Sequence, residues 1–291
     1  MQFFSVIIPT FNRAHLIEKT IRSVLLQSFE NFEVVLVDDG STDNTKEVIS
    51  NISDSRIKYI YQSNGERGKA RNTGVLNAKG QYVFFLDSDD IIYSNHLQHA
   101  YDELSRLNFP VFFHSRYELI SGTTITQVPK LNSKTVQKKI SRQNLMACQF
   151  FLRTEQALEF PFSTNRKLKI GEDWLVLLKI SSKFELHTSN IVTSAISQHD
   201  GRTMLLADHK CILESLEIIV DDLNKNHRIS NDVIKNVKAE LTTLAALSAA
   251  INGKKIKSIK LWLKGVSYKF QHIFTKRTLA ISKKLIFNGK T

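Results

Sequence analysis

The 291-residue sequence predicts an α/β fold, a doubly wound and mainly parallel sheet flanked by helices, followed by a C-terminal helical extension. Three observations predict it. Short β-branched and aromatic runs alternate four times with segments of helical periodicity. The runs are apolar throughout rather than at every second residue, as in strands buried on both faces of a parallel sheet. After residue 204 only helical patterns remain.

In chain order, Phe3–Ile8, Phe32–Val37, Ile57–Tyr61 and 82–86 are the predicted strands. Between them, Leu16, Ile17, Ile21, Val24 and Leu25, then Val48 and Ile49, then Val75 and Leu76 have helical spacing. Right-handed crossovers place ligands at the carboxyl ends of such strands. Polar residues should therefore follow each strand, and they do: Thr10 and Asn12, Asp38 to Ser41, Gln62 to Gly65, and Asp87 to Asp90. From Val111 the pattern changes to a hairpin through Ser121 and Gly122 and a mixed region reaching about residue 197. Helices are then expected over 205–223, 232–251 and, as one or two basic helices, to residue 287. The predicted division is a domain over 1–203, with halves 1–110 and 111–203, and a helical basic region over 204–291.

Composition excludes several classes. Cys148 and Cys211 are the only cysteines, without disulfide-framework or metal-ligand spacing, which suits a reducing cytoplasm. The N-terminal apolar run is too short for a signal peptide, and no stretch reaches the length needed to span a bilayer. The net charge of +12 is concentrated at one end: no acid follows Glu240, whereas eleven Lys and Arg do.

Three loops carry the chemistry. Asp87, Asp89 and Asp90 lie within four positions, and carboxylates so close repel unless a cation sits among them; their hard oxygens suit Mg²⁺ or Mn²⁺. A helix N-cap cluster before Ile91 is the other reading. Asp38-Asp39-Gly40-Ser41 ends the second strand in acids that could accept hydrogen bonds from a base or ribose, while Ser41 and Asp43 suit capping of a helix near Thr45. Asn64 to Gly74 combines glycines with Arg67, Lys69 and Arg71 at a helix start, an anion site that is neither a Walker loop nor a dinucleotide fingerprint.

Taken in order, Val6-Ile7-Ile8-Pro9-Thr10-Phe11-Asn12, Val37 to Asp43, Ala70-Arg71-Asn72-Thr73-Gly74 and Leu86-Asp87-Ser88-Asp89-Asp90 resemble the family 2 inverting glycosyltransferases of GT-A fold, of the bacterial surface-polysaccharide type. The likeness is dense over about residues 3–120 and looser to about 200. It implies a Rossmann-like domain that moves a sugar, with inversion, from a nucleotide-diphosphate donor, by family analogy UDP, to a glycan or lipid-linked hydroxyl. It also implies that Asp39, Pro9 and Thr10 bind the base, Arg71 faces the diphosphate, Asp87 contacts the ribose and Asp89 the metal, Mn²⁺ or Mg²⁺. Asn64 and Ser88 complete the donor set. In Gly171-Glu172-Asp173-Trp174 the resemblance makes Asp173 the catalytic base, with helix capping as the rival reading. His199 stands where many members place a metal- or diphosphate-binding histidine, but Asp200-Gly201-Arg202 departs from the serines that often follow it. A non-catalytic nucleotide-sugar-binding scaffold is the alternative function, and retention of all four acids weighs against it.

In the basic region, Ile256, Ile259, Leu263, Val266, Phe270 and Ile273 recur at spacings of three and four, with Lys257, Lys260 and Lys264 elsewhere on the wheel. Either this apolar face packs on the catalytic domain, or residues 254–287 lie on an anionic membrane surface, the inner face of the cell membrane. Nucleic acid is not an expected partner.

Overall fold

The computed structural model describes residues 2–198 and 207–287. These form two compact units. One takes in the chain as far as Gln137, Met146–Thr164 and the strand that follows Phe184; the other joins Lys138–Leu145 and Asn165–Lys183 to the C-terminal helices.

The first unit begins with the expected alternation. Strands β1 (Phe4–Thr10), β2 (Phe32–Asp38), β3 (Ile57–Tyr61) and β4 (Tyr82–Phe85) run parallel in the order β3-β2-β1-β4. Every residue of β1, β2 and β4 is buried, which is why their sequences show no period of two. The crossovers contain α1 (Ile17–Leu25), α2 (Thr45–Ser50) and α3 (Glu66–Leu76). Helix α1 buries Ile17, Ile21 and Val24, one face at spacings of four and three. On α3, Gly74 lies against β1: a Cβ there would stand 2.3 Å from Ile7 Cγ2.

Beyond β4 the sheet becomes mixed. It continues β4-β8-β6-β9-β5 through β8 (Phe151–Arg153), β6 (Phe112–Ser121), β9 (Leu186–Ser197) and β5 (Ile91–Ile92), and β7 (Thr124–Gln127) forms the expected hairpin with β6 across Gly122. Strand β8 is antiparallel to both β4 and β6, and β6 pairs parallel with β9 across an irregularity at Ser115–Arg116–Tyr117. The seam between the two halves is aromatic. Phe151 of β8 stacks on Phe84 at 4.6 Å and reaches Phe4 at 5.2 Å, and burial of each such ring contributes about 1.5–3 kcal/mol. Helices α4 (His96–Arg106) and α6 (Thr154–Glu159) also belong to this unit.

Ile91 opens no helix. Ile91 and Ile92 pair antiparallel with Ala195 and Ser194, and α4 starts only at His96, so the reading of Asp87–Asp90 as a helix N-cap cluster fails.

In the second unit, α5 (Ser133–Ile140) contributes its C-terminal end and is followed by α7 (Glu172–Ser181), α8 (His209–Asn224), α9 (Asn231–Ile251), α10 (Lys255–Tyr268), a 3₁₀ turn (Phe270–Phe274) and α11 (Lys276–Phe287). Asp208 and Ser230 cap α8 and α9, accepting from the Cys211 and Val233 amides. Helix α10 approaches α9 through small residues. Ser258 Oγ donates to the Ala246 carbonyl at 2.8 Å, and a Cβ on Gly265 would meet Thr243 Cγ2 at 2.6 Å. Ser258, Leu261 and Gly265 point inward, whereas Ile256, Ile259 and Leu263, for which packing was one of the two readings, are exposed. No helix among the described residues is long and apolar enough to cross a membrane.

Candidate functional site

The carboxyl ends of β1 and β2 lie side by side, with Thr10 paired to Asp38, and the next residue, Asp39, donates its amide to the Thr10 carbonyl at 2.8 Å. Asp38 is used up by the fold. Its Oδ1 accepts from the Ser41 amide and its Oδ2 from the Tyr59 hydroxyl, each at 2.8 Å; burial, and then Asp38 itself, push that hydroxyl well above its ordinary pKa. Asp39 is different. Its Oδ1 accepts from Gln62 Nε2 at 2.6 Å and from the Gly65 amide at 2.9 Å, whereas its Oδ2 accepts no hydrogen bond among the described residues.

Asp39 is held firmly. Thr73 Oγ1 donates to Gln62 Oε1 at 2.6 Å, fixing the amide that holds the carboxylate, and Asn64 Nδ2 donates to the Asp39 carbonyl at 3.0 Å. Gly40 permits this approach: its φ is +86°, and a Cβ would stand 2.9 Å from the Asn64 nitrogen. Beside it, Thr10 Oγ1 is buried without a hydrogen-bond partner. An unmet acceptor and an unmet hydroxyl on neighbouring strand ends suit a polar ligand edge, because leaving buried polar groups unsatisfied costs about 1–3 kcal/mol each.

Helix α3 brings in the cation. Arg71 is 1% exposed, its Nη2 lies 2.7 Å from Asp87 Oδ1, and its guanidinium lies over the Phe162 ring at 5.1 Å. Asn72 locks that ring's backbone in place, donating to the Phe162 carbonyl at 2.8 Å and accepting from its amide at 2.9 Å. Gly68 makes the contact possible, since a Cβ there would fall 2.2 Å from the Ser163 carbonyl oxygen.

The loop after β4 holds Asp87, buried Ser88, Asp89 and Asp90, and the three carboxylates each offer an oxygen within 4.8 Å of the others. Their surroundings separate them. Asp90 is a pin: its Oδ2 accepts from Gln149 Nε2 and its Oδ1 from the Ser197 amide, each at 3.0 Å, and Gln149 Oε1 in turn accepts from Ser194 Oγ. Thr20 Oγ1 reaches the Ser88 and Asp90 carbonyls at 3.0 and 2.8 Å, fixing the loop backbone. The donor set fits a hard divalent cation, which takes carboxylate oxygens together with waters and substrate phosphates.

Asp173 lies in the second unit, in the first turn of α7, behind Gly171 at φ +79°. Its Oδ1 accepts from the Trp174 amide at 2.7 Å, and Asn144 Nδ2 lies 3.3 Å from both carboxylate oxygens. Trp174 is anchored through Nε1 to the Ile140 carbonyl at 2.7 Å. The carboxylate is thus oriented in the first turn of a helix, a place that suits capping as well as chemistry. His199 lies outside the described residues.

The structure therefore joins Pro9 and Thr10 at the end of β1 to Asp39 and Asn64, and Arg71 to Asp87, with Ser88 and Asp89 on the same loop as Asp87. Sequence reasoning named Gln62 and Thr73 within their motifs without giving them a role, and it missed Gln149, Phe162 and Asn144. The last three stand far along the chain from the groups they serve and carry no local pattern.

The sequence pattern described as "Glycosyl transferase family 2" matches residues 5–159. An uncharacterized glycosyltransferase of Rickettsia conorii is 33% identical over 183 residues, 62% of this chain but 30% of that protein, so the chain spans under a third of that relative's length. The Escherichia coli UDP-Glc:alpha-D-GlcNAc-diphosphoundecaprenol beta-1,3-glucosyltransferase WfgD is 30% identical over 220 residues, 70% of this chain and 85% of the relative. Staphylococcus aureus TarS 1–349, solved with UDP-GlcNAc, superimposes with a TM-score of 0.63 at 20% identity, covering 93% of this chain and 92% of that one. That likeness shows the fold, GT-A-like with C-terminal helices. With a family pattern matched over more than half its length, and its acids and arginine gathered where that pattern runs, the chain belongs to glycosyl transferase family 2.

Proposed function

We propose that the protein transfers a sugar from a UDP-sugar to a hydroxyl of a lipid-linked glycan, with inversion, at the cytoplasmic face of the cell membrane. The observation that carries this reading is that a half-satisfied Asp39 after β2 and the Arg71–Asp87–Asp89 group after β4 flank the carboxyl end of β1, the strand between them. The relatives' names support the donor and acceptor classes. On this reading residues 1–110 bind the nucleotide sugar, 111–203 serve the acceptor and 204–291 form an appended helical region.

Asp39 Oδ2 and Thr10 Oγ1 accept and donate hydrogen bonds to the base, with Pro9 and Asn64 closing the same pocket. Asp87, steadied by Arg71, holds the ribose, and Ser88 lies beside it. Asp89, with Asp87 near it, would hold Mn²⁺ or Mg²⁺, and His199 is a further proposed ligand. When bound, that ion neutralises charge growing on the diphosphate. Arg71 adds positive charge on the same side. Asp173 takes the proton of the acceptor hydroxyl as its oxygen bonds to the anomeric carbon; the bond from that carbon to the diphosphate oxygen breaks, and UDP leaves with the electron pair. One displacement inverts the centre, and one base suffices because the leaving group needs charge neutralisation rather than a proton.

The test is transfer from UDP-sugars to an undecaprenyl-diphosphate-linked GlcNAc analogue, with the new linkage read by NMR. Transfer with an inverted anomeric configuration is expected, and loss of about 10²–10⁴ in rate for Asp173→Asn. Nucleotide binding without turnover under every donor and metal would return the scaffold reading.

A further inference from the structure

We propose that the C-terminal helices form a docking surface for an anionic phospholipid leaflet, in which Ile256, Ile259 and Leu263 enter the acyl boundary while Lys257, Lys260 and Lys264 meet the lipid phosphates. This does not rest on sugar transfer.

Helix α10 has three faces. Ser258, Leu261 and Gly265 are consumed by packing on α9. On the far side Ile256, Ile259 and Leu263 are 74, 46 and 55% exposed, and their spacings of three and four make one stripe. Between stripe and packed face run Lys257, Lys260 and Lys264, exposed and making no ion pair among the described residues. These lysines, with Lys238, line an open groove whose wall includes Leu213, Val220, Tyr268 and one acid, Glu217, against four lysines. An aliphatic stripe edged by lysines on one side is the arrangement of a helix that lies in a membrane interface.

Exposed apolar side chains also follow α10 in the chain. Phe270 and Phe274 are 66 and 81% exposed and meet only edge to face, 6.0 Å apart. On α11, Leu279 and Ile286 are exposed one heptad apart with Lys283 between them. The stripe on α10 is a contiguous apolar strip on a water-facing helix, and such a strip marks a partner where isolated side chains do not.

Charge identifies the partner. No acid follows Glu240, and of the eleven cations beyond it Arg277 is neutralised by Glu240 and Lys269 by Asp232. Two copies meeting through such faces would bring like charges together, and isoleucine and leucine offer nothing to a phosphodiester backbone. An anionic leaflet satisfies both halves of the surface, with each lysine near it contributing about 1 kcal/mol, or a factor of about five.

The test is flotation of the full chain, without sugar nucleotide, on vesicles of phosphatidylcholine alone or mixed with phosphatidylglycerol. Binding to the mixed vesicles that weakens with salt is expected. The triple variant Lys257→Gln, Lys260→Gln, Lys264→Gln should bind about 100-fold more weakly, and Ile256→Ser, Ile259→Ser, Leu263→Ser should no longer float, with helical circular dichroism retained in both. Should either variant fail to fold, the salt dependence of the unaltered chain decides: release with salt supports the surface and indifference to it overturns it. Absence of flotation overturns it, as does undiminished flotation of the serine variant. So does a dimer dissolved by the serine variant, or retention of duplex DNA lost with the lysines, in a protein that ignores vesicles.

Discussion

Arg71 Nη2 lies 2.7 Å from Asp87 Oδ1, and while the arginine is almost wholly buried the carboxylate remains about a third exposed. The charge is fixed on the protein side and offered on the other. The guanidinium also lies over the Phe162 ring, so the aimed contact to Asp87 and the ring contact are both specific to arginine. Arg71→Lys keeps the charge and loses both, and should lower the melting temperature by about 2–4 °C, for a cost near 1 kcal/mol in a chain of this size, and weaken UDP binding. Thermal melting and calorimetric titration read the two effects, and a lysine variant indistinguishable from wild type in both would show that geometry is immaterial here.

Asp39 accepts twice through one oxygen and not at all through the other. Asp39→Asn preserves the shape but loses the negative acceptor, and hydrogen bonds to charged groups contribute about 1.5–3 kcal/mol. UDP affinity should fall about tenfold or more. Gln62→Ala, which frees the carboxylate from its amide, should give a smaller loss in the same titration; a larger loss than Asp39→Asn would mean that Gln62 itself touches the ligand.

Gly68 stands where any Cβ would fall within 2.2 Å of a backbone carbonyl, an obstacle that no side-chain rotation relieves. Gly68→Ala should destabilise by about 1–3 kcal/mol, measured by urea unfolding, and displace the Phe162 ring from Arg71. An unchanged midpoint would show that the segment at residue 163 yields freely.

His96 and His114 are buried, and burial is the first cause that lowers them, to about 3 and about 4, from the ordinary 6.5. His99 and His114 add to the effect on His96. Below pH 6.5 the unfolded chain takes up protons that the folded chain refuses, so their contribution is complete above that pH and is lost as pH falls toward 4. The two together give a slope of up to about 3 kcal/mol per pH unit. Neither ring nitrogen of His114 has a hydrogen-bond partner, so His114→Leu should flatten the stability curve between pH 6.5 and 4 without costing a bond. Denaturant unfolding across that range checks it, and a slope as steep as the parent's would place the titration elsewhere.

The parallel half of the fold was legible because burial on both faces leaves an unbroken apolar run, as in Val34 to Val37, and each run ends in the polar loop that the topology requires. The mixed half was not. Strands β8 and β5 are three and two residues long, too short for any period, and exist because Phe151 stacks on Phe84 and Asp90 is tied to β9. In the same way Asp39, Asp87 and Asp89 announced themselves by position after strands, but Gln149 and Phe162, which hold Asp90 and Arg71 beside them, act across 59 and 91 positions of chain. The tail stayed open between two readings for a simpler reason. Periodicity shows that a helix has an apolar stripe, not which way it faces, and in α10 the close approach is made by Ser258 and Gly265, which no hydrophobic pattern records.

The central claim is that the loop from Asp87 to Asp90 grips a divalent cation against the diphosphate, with Asp89 as a principal ligand. The direct measurement is calorimetric titration of UDP into the wild type and Asp89→Asn, with Mn²⁺ present and with the ion chelated. A gain of at least about tenfold in UDP affinity on adding Mn²⁺ to the wild type, absent in the variant, is predicted. Equal affinity with and without metal in the wild type, or an undiminished metal effect in Asp89→Asn, would contradict it.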